Sequence, residues 1–461
     1  MALTQSEPAR PWLTLAWRRL SARMTARLAA RLGGSELMLI QRLAGTVFLI
    51  RVVSALLAYG SQVLFARWMG SFEFGIYVYV WTWVLLIGQA LDLGLATAAQ
   101  RFVPEYREHG RFDHLRGYLF GSRCVAVGVA ILVAIFCAGL VRLLQPWLDD
   151  YTVIPLYLAC AALPAYALSN VQDGISRSYD WVALGIVPTY IVRQLLLTGF
   201  MAAAYVAGLP LDAVTAMLLA CVALWLPPLG QLVILKRRLA AQIEAGPRAY
   251  DFKLWIGTAL PILMAEGFYL LLAHTDVLML QQFRPPNEVA VYYAAVKTLA
   301  FVSFIGFSIA ATTAHRCAAY QAAGDHQGLH DFLAKVIRFT FWPSLAVTLL
   351  LLAFGRPLLS LFGPGFGDGH HLMFILAVGL VARAAIGPME RFLNMLGQQR
   401  VCALVYAAAF GINVALCLLL IPHFGAIGAA LAIATALIVE TLTLALVARR
   451  RLGFNVFIWG G

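Results

Sequence analysis

Charged side chains interrupt several long apolar stretches of this sequence. A charge among apolar residues is costly unless it is paired or faces water. The cationic ones are Arg51, Arg193, Lys297 and Arg383, and the acidic ones are Asp92, Glu266, Asp276 and Glu440. Guanidinium groups bind phosphate oxygens in a bidentate fork, so the cations could hold an anionic substrate. The carboxylates could instead, or in addition, couple to protons or Na⁺.

Residues at helical spacing from the four cations predict that these side chains point into the protein. Arg51 shares a helix face of polar or small residues with Ser54, Ala58 and Gln62. A glycine lies four residues before Arg383 and another lies four residues after it. Tyrosine and glutamine offer stacking and hydrogen-bonding contacts to a sugar phosphate. We expect a water-filled cleft lined by Arg51, Arg193, Lys297, Arg383, Tyr190, Tyr293 and Gln194.

Glu266 is the acidic residue with the clearest predicted role. When the sequence is aligned with itself at an offset of 215 residues, Arg51 aligns with Glu266. Opposite charges therefore lie at matched depths in the two halves of the chain. We expect the two to pair at rest, and the phosphates of a substrate to release Glu266 to take a proton. Asp276 and Asp92 are further coupling or gating candidates, although Asp92 could equally serve helix packing. A structural alternative is that each cation has one carboxylate partner and only holds helices together.

The elements that carry these residues are membrane-spanning helices. Of 461 residues, 62% are hydrophobic and 12% are charged, and the mean hydropathy is +0.81. Apolar runs of about 20 residues cross a hydrocarbon core as helix, and none alternates like a barrel strand. Twelve spans are predicted: 43–65, 75–98, 117–141, 152–171, 181–207, 213–235, 254–280, 289–314, 337–361, 371–390, 401–421 and 424–447.

Lysine and arginine are concentrated in alternate loops and at both termini, whereas the other loops hold only Arg67, Arg142, Arg284 and Arg356. Cytoplasmic loops carry the positive excess, so both termini are predicted to be cytoplasmic. The net charge of +12 therefore reflects topology and supplies contacts to anionic membrane lipids, and nucleic acid is a poor alternative. Residues 10–32 are amphipathic and suit a helix in the interface.

An internal repeat divides the chain into two halves. The 215-residue shift pairs Glu73 with Glu288, Tyr77 with Tyr292, Thr97 with Thr312 and Arg101 with Arg316. Six spans per half make the repeats parallel. The predicted fold is all-α and polytopic, with a basic segment 1–42, six-helix bundles 43–235 and 254–448, a cytoplasmic linker 236–253 and a basic tail 449–461.

Motifs for catalysis, cofactors or metals are lacking. The sequence contains neither a nucleotide-binding G-x-x-x-x-G-K-[ST] nor H-E-x-x-H, and its seven cysteines include no C-x-x-C. His326 and His330 are four residues apart, without a third ligand. The predicted outer loops are short, whereas membrane enzymes that handle lipid-linked sugars usually need a sizeable one. We expect a transporter without cofactor or metal, not an enzyme.

Several segments resemble bacterial polysaccharide exporters. RWMGSFEFGIY (67–77) resembles the Arg-x-x-Gly-x-x-x-Phe-Gly-x-Tyr signature, and LDLGLATAAQRFVPEY (91–106) resembles the segment after it. DVLMLQQF, NEVAVYYAAVK, GPGF and GPMERFLNMLGQQR follow in the order found in such exporters. The chain thus resembles Wzx-type oligosaccharide flippases of the multidrug/oligosaccharidyl-lipid/polysaccharide (MOP) superfamily.

The resemblance implies a fold like that of the MATE exporters in this superfamily, with two bundles around a V-shaped cleft and alternating access. It implies export of undecaprenyl-pyrophosphate-linked oligosaccharide across the bacterial inner membrane for O-antigen or exopolysaccharide synthesis, with polysaccharide polymerase and assembly proteins as partners. Two alternatives stay open. One is a cation-coupled multidrug exporter of the same superfamily, whose cavity would favour acidic residues. The other is a lipid-linked peptidoglycan precursor flippase, a group that often has fourteen spans.

Overall fold

The computed structural model describes the backbone of residues 11–310, 313, 326–395, 398–452 and 457–458. Side chains are described from residue 50 onward within these ranges, except at 261, 262, 265, 326, 395, 451 and 452. Thr312, Arg316 and Cys317 lie outside the described residues, as do the side chains of the amphipathic segment 10–32. Residues 1–49 form a unit of their own, and residues 50–461 form the unit described below.

The predicted spans are mainly helical in the described residues, with breaks at 91–94 in the second span and at 385–388 in the tenth. The first half contains α1 (Pro11–Ala90), α2 (Leu95–Glu108), α3 (Phe112–Leu144), α4 (Asp150–Ser178), α5 (Val182–Val187), a π-helical turn (Pro188–Val192), α6 (Arg193–Val206) and α7 (Ala213–Ala240). The second half contains α8 (Phe252–Phe283), α9 (Pro286–Leu299), α10 (303–310), α11 (His326–Ala353), α12 (Gly355–Ser360), α13 (His370–Ala384), α14 (Met389–Met395), α15 (Gln399–Phe424) and α16 (Ala426–Leu452).

Gly70 divides α1 into two spans. Its φ of 78° and ψ of 168° are not helical, and a positive φ suits glycine. The rings of Phe65 and Tyr77 are 6.2 Å apart, whereas twelve residues of straight helix would separate them by about 18 Å. The chain therefore reverses at Gly70. Ten described helices are long and apolar enough to cross a membrane. Dividing the first at Gly70 and adding α8 gives twelve passes in the described part of the chain, the predicted number.

Equivalent glutamates make equivalent contacts in the two halves. A carboxylate oxygen of Glu73 accepts a hydrogen bond from the backbone N–H of Ala213, the first residue of α7, at 2.8 Å. Glu288 accepts one from the N–H of Ala426, the first residue of α16, at 2.5 Å. In each half, a glutamate near the start of the second span satisfies a free N–H group of the sixth, where a negative charge is also favoured. These contacts support the internal repeat.

Among the described residues, the buried core has one part shared by both halves and two separate parts. We call the end with loops 109–111, 179–181 and 241–251 the basic end, and the end with loops 145–149, 207–212 and 361–365 the opposite end. Near the opposite end one core joins both halves, with Phe74 packed against Tyr293 and Phe366. Near the basic end, one core surrounds Tyr118 and another surrounds Phe392. The bundles therefore meet at the opposite end and separate towards the basic end.

The start of α8 packs on the N-terminal half. Trp255 is fully buried, and its indole N–H donates to the hydroxyl of Tyr106 at 2.9 Å. The carbonyl of Ala259 lies against Gly94, where a Cβ atom would come within 2.5 Å of its oxygen. The remainder of α8 packs along α15 of the C-terminal half. Thus α8 bridges the two bundles beside the gap between them.

Candidate functional site

Two adjoining cavities lie on the inner side of the C-terminal bundle. The first, of about 150 Å³, is lined by Tyr269, Phe307, Arg383 and Arg391 among others. The second, of about 170 Å³, shares Tyr269 and Arg383 with the first and extends to Asp276. The predicted cation Arg383 is thus accessible from both.

Arg51 connects the N-terminal half to the first cavity. Its guanidinium carbon lies 4.7 Å from the ring centre of Phe307 and 5.4 Å from that of Tyr190, which is 37% exposed. The Nε atom of Arg51 is buried and has no hydrogen-bond partner among the described residues. Arg51 therefore contacts one aromatic ring in each half, across the gap between them.

The expected ion pair between Arg51 and Glu266 is not formed. Among the ion pairs of described residues, neither side chain occurs. Glu266 is exposed, and the cations whose charge acts on it are Arg177 and Arg391. Matched positions in a parallel repeat are related by an axis through the centre of the molecule, so they need not be in contact. This prediction is wrong for the conformation observed.

Arg193 and Lys297 also lie on aromatic rings. The guanidinium carbon of Arg193 is 5.2 Å from the ring centre of Trp81, and its Nε is buried without a hydrogen-bond partner among the described residues. The ammonium nitrogen of Lys297 is 4.9 Å from the ring centre of Tyr293. The buried Tyr293 hydroxyl accepts a hydrogen bond from Gln62 across the halves at 3.1 Å. The face of an aromatic ring attracts a cation, so these cations do not need a carboxylate partner inside the protein.

Arg383 is the one predicted cation with a carboxylate partner among the described residues. Its Nη2 lies 3.4 Å from Oε1 of Glu440, whose side chain is 1% exposed against 30% for Arg383. The guanidinium carbon also lies 5.3 Å from the ring centre of Tyr269. The structural alternative, a cation held by one carboxylate, thus describes Arg383 and none of the other three.

Hydrogen bonds hold three further predicted site residues in place. Gln194 is buried and donates to the hydroxyl of Ser61, which joins α6 to α1. Asp92 accepts from the N–H groups of Gly94 at 3.0 Å and Ala96 at 3.3 Å, at the break before α2. Asp276 accepts from the hydroxyl of Tyr292 and from a backbone N–H. Their observed contacts stabilise helix ends and helix packing.

The cations are staggered in depth. At a rise of about 1.5 Å per residue, Lys297 lies about 17 Å along its helix from the opposite end, Arg193 and Arg383 about 20 Å, and Arg51 about 28 Å. The structure brings Arg51, Tyr190 and Arg383 together around Phe307 and its cavity. It places Arg193 at the depth of Arg383 but on the ring of Trp81, and Lys297 nearer the opposite end. The arrangement can present successive positive charges to an anion that moves through the molecule.

Arg391, Phe307 and Trp81 belong to this arrangement and were not predicted. Arg391 lines the first cavity and lies 5.5 Å from the ring centre of Phe307. The sequence places it just beyond the span 371–390, eight residues after Arg383. The helix breaks between α13 and α14, where Gly387 has a φ of 60°, and this break lets both arginines line one cavity. A Gly-Pro step inside an apolar stretch was the available signal.

Two protein-family models match the chain. The model described as polysaccharide biosynthesis protein matches residues 42–314, and the model described as MatE matches residues 261–419. No curated protein sequence matches the chain.

Solved structures similar to this chain include transporters of the MOP superfamily and a lipid II flippase. An inward-facing multidrug resistance MATE family transporter has a TM-score of 0.68 at 14% identity, with 88% of this chain and 94% of that chain covered. The lipid II flippase MurJ, in an inward closed conformation, has a TM-score of 0.65 at 14% identity, covering 88% and 87%. A MOP superfamily transporter from Pyrococcus furiosus, described as having a binding pocket of reverse polarity, has a TM-score of 0.65 at 14% identity, covering 90% and 95%. The predicted MATE-like fold of two helical bundles is confirmed.

Proposed function

Because the chain belongs to the polysaccharide biosynthesis protein family, we propose that it is an alternating-access flippase for an anionic, lipid-linked oligosaccharide. The substrate class is a polyprenyl-pyrophosphate-linked oligosaccharide such as the undecaprenyl form, moved from the cytoplasmic to the outer leaflet of a bacterial inner membrane. The products serve O-antigen or exopolysaccharide synthesis, with polymerase and assembly proteins downstream. Both termini and the basic end face the cytoplasm in this proposal.

The observation that carries the proposal is the set of cations without carboxylate partners. Arg51, Arg193, Lys297 and Arg391 each lie on an aromatic ring, and none forms an ion pair with a described residue. Cations that form no ion pair stay available for phosphate, to which arginine donates two parallel hydrogen bonds. The same rings provide flat surfaces for sugars.

The Arg383–Glu440 pair gives the binding step a consequence for conformation. A phosphate that reaches the first cavity competes with Glu440 for Arg383. Glu440 would then be a buried carboxylate without a partner, an arrangement that costs several kcal/mol unless it takes up a proton or the helices rearrange. Substrate binding thus favours a second state of the C-terminal bundle. This pair replaces Arg51–Glu266 as the coupling pair.

A multidrug exporter is the second candidate function. The match to the MatE model and the buried carboxylates Asp276 and Glu440 in the same half favour it. Against it, Asp276 is occupied by Tyr292 and Glu440 by Arg383, so neither is free to bind a cationic drug. A lipid-linked peptidoglycan precursor would present the same pyrophosphate to the same cations, and substrate competition would separate it from an oligosaccharide.

The proposal is tested by flipping of a polyprenyl-pyrophosphoryl oligosaccharide in proteoliposomes. Arg51→Gln removes the charge between the halves, and the exposed Arg142→Gln removes an arginine from the end of α3 as a matched control. Loss of one charged hydrogen bond and one buried ring contact costs about 2–3 kcal/mol, so flipping at subsaturating substrate should fall roughly 30- to 150-fold in Arg51→Gln alone. Equal flipping by both variants, at equal amounts of folded protein, would make Arg51 a structural charge.

A further inference from the structure

The linker segment 241–251, which joins α7 to α8, is attached to the start of α3. The guanidinium group of Arg116 on α3 donates hydrogen bonds to two backbone carbonyls of the linker, including that of Pro247 at 2.8 Å. In return, the backbone N–H of Ala249 donates to the carbonyl of Asp113 at 3.0 Å. The connection between the two halves of the chain therefore lies on the N-terminal half, at the basic end.

His114 lies where the linker meets α3. Its Nδ1 is 3.0 Å from Oδ1 of Asp113, and its Nε2 is 3.4 Å from Oδ2 of Asp251, the last residue of the linker segment. The Nη2 atom of Arg111 is 2.8 Å from the same Nε2, and the ring of Tyr106 on α2 lies 5.6 Å away, centre to centre. The His114 side chain is 20% exposed, so it can exchange protons with solvent.

The neutral and protonated forms of His114 make different contacts. Arginine only donates hydrogen bonds, so the short contact with Arg111 requires a neutral ring whose Nε2 accepts. A protonated ring carries hydrogen on both nitrogens, so Nε2 then donates to Asp251, and the like charge of Arg111 is repelled. Arg111 keeps its contact with the ring of Tyr106, 5.4 Å from the guanidinium carbon.

Only one of these charged neighbours arrives with the linker. Arg111 and Asp113 adjoin His114 in the sequence and stay near it when the linker is released, whereas Asp251 leaves. The Asp251 side chain makes no capping hydrogen bond to α8, so its carboxylate is available to His114. Attachment of the linker is therefore more favourable when His114 is protonated and weakens as the pH rises. Histidine ordinarily titrates near pH 6.5, about one unit from physiological pH.

We propose that His114 and Asp251 form a pH-sensitive contact that holds the linker and the start of α8 on the N-terminal half more firmly at acidic pH. Because α8 bridges the two bundles, this contact sets how firmly the bridge is attached at the basic end. The proposal does not rest on the transported substrate, since neither residue lines the two cavities of the C-terminal bundle.

The test is hydrogen–deuterium exchange of the full chain in detergent, read by mass spectrometry of the peptides that cover 241–251. Exchange is measured about one pH unit below and one above the ordinary pKa of histidine, and each rate is corrected for the intrinsic rate at that pH. An ion pair between partly exposed side chains shifts an equilibrium by about two- to fivefold. We therefore expect the linker amides of the wild type to be about two- to fivefold better protected at the lower pH.

Two variants remove the contact from opposite sides. His114→Gln keeps a side chain that forms hydrogen bonds but does not titrate, and Asp251→Asn removes the charge without removing a helix cap. Each should abolish the pH dependence of protection. His109→Gln is the matched control, because His109 is exposed and contacts the carbonyl of Glu105 instead of the linker, so this variant should keep the pH dependence.

The Tm of each variant at the higher pH, where the contact is weak, should equal that of the wild type and identifies folded protein. If one variant fails to fold, the other decides. Equal protection of the wild-type linker at both pH values, or better protection at the higher pH, would overturn the proposal. A pH dependence that persists in both His114→Gln and Asp251→Asn would overturn it as well.

Discussion

The Arg383–Glu440 pair makes an asymmetric prediction about stability. Glu440 is 1% exposed and Arg383 is 30% exposed, so the two partners lose different amounts of solvation when left alone. Arg383→Leu leaves a buried carboxylate without its cation, which costs about 3–5 kcal/mol. Glu440→Leu leaves an arginine that still reaches the cavity and the ring of Tyr269, so we expect a smaller loss, about 1–2 kcal/mol.

The double variant completes the cycle. Replacing a buried ion pair with apolar residues of similar volume is often neutral, so Arg383→Leu/Glu440→Leu should be more stable than Arg383→Leu alone. The assay is thermal unfolding of each purified protein in one detergent, at one pH and protein concentration. The expected order of Tm is lowest for Arg383→Leu, then Glu440→Leu, with the double variant close to wild type. Equal losses in the two single variants, or additive losses in the double, would refute the argument that this pair is buried and coupled.

Three further predictions concern other contacts. Arg391→Lys keeps a charge but loses the planar contact with Phe307, so the flipping rate should fall by about tenfold or less. The flipping rate of Arg391→Gln should fall further. Equal rates in the two variants would exclude a role for the charge. Asp92→Ala removes the acceptor that caps α2, so the free energy of unfolding should fall by about 1–2 kcal/mol in thermal unfolding. Flipping per folded molecule should stay unchanged. Lost flipping at full stability would instead indicate that Asp92 has a gating role. Glu73→Ala and Glu288→Ala should each lower stability by about 1 kcal/mol, and a large difference between their Tm values would argue against equivalent repeats.

The large-scale organisation could be predicted because apolar length and charge distribution depend on sequence alone. Twelve apolar runs predicted twelve passes, and the glutamates paired by the repeat proved to make the same contact. The reversal at Gly70 falls between the first two predicted spans. The break before α2 was harder to predict, because it depends on Asp92 accepting hydrogen bonds inside an otherwise helical run.

The partners of the charged residues could not be predicted in the same way. Helical spacing indicates which face a side chain occupies but not which helix packs on that face. Arg51 was therefore assigned to Glu266, whereas it lies on Phe307 and Tyr190. Glu440 was recognised as a buried acid without a role, and its contact with Arg383 joins residues 57 positions apart. The roles of Arg193, Lys297 and the other cleft residues in substrate binding stay predictions.

Recognition of the phosphate of a lipid-linked oligosaccharide by the cleft can be tested directly. The most direct measurement compares wild-type proteoliposomes in two assays: flipping of a polyprenyl-pyrophosphoryl oligosaccharide and efflux of a cationic dye driven by a proton or Na⁺ gradient. We expect flipping of the anionic lipid, competition by an unlabelled pyrophosphate-linked lipid, and no dye efflux. Dye efflux without flipping of the lipid-linked oligosaccharide would contradict it and would identify the chain as a drug exporter.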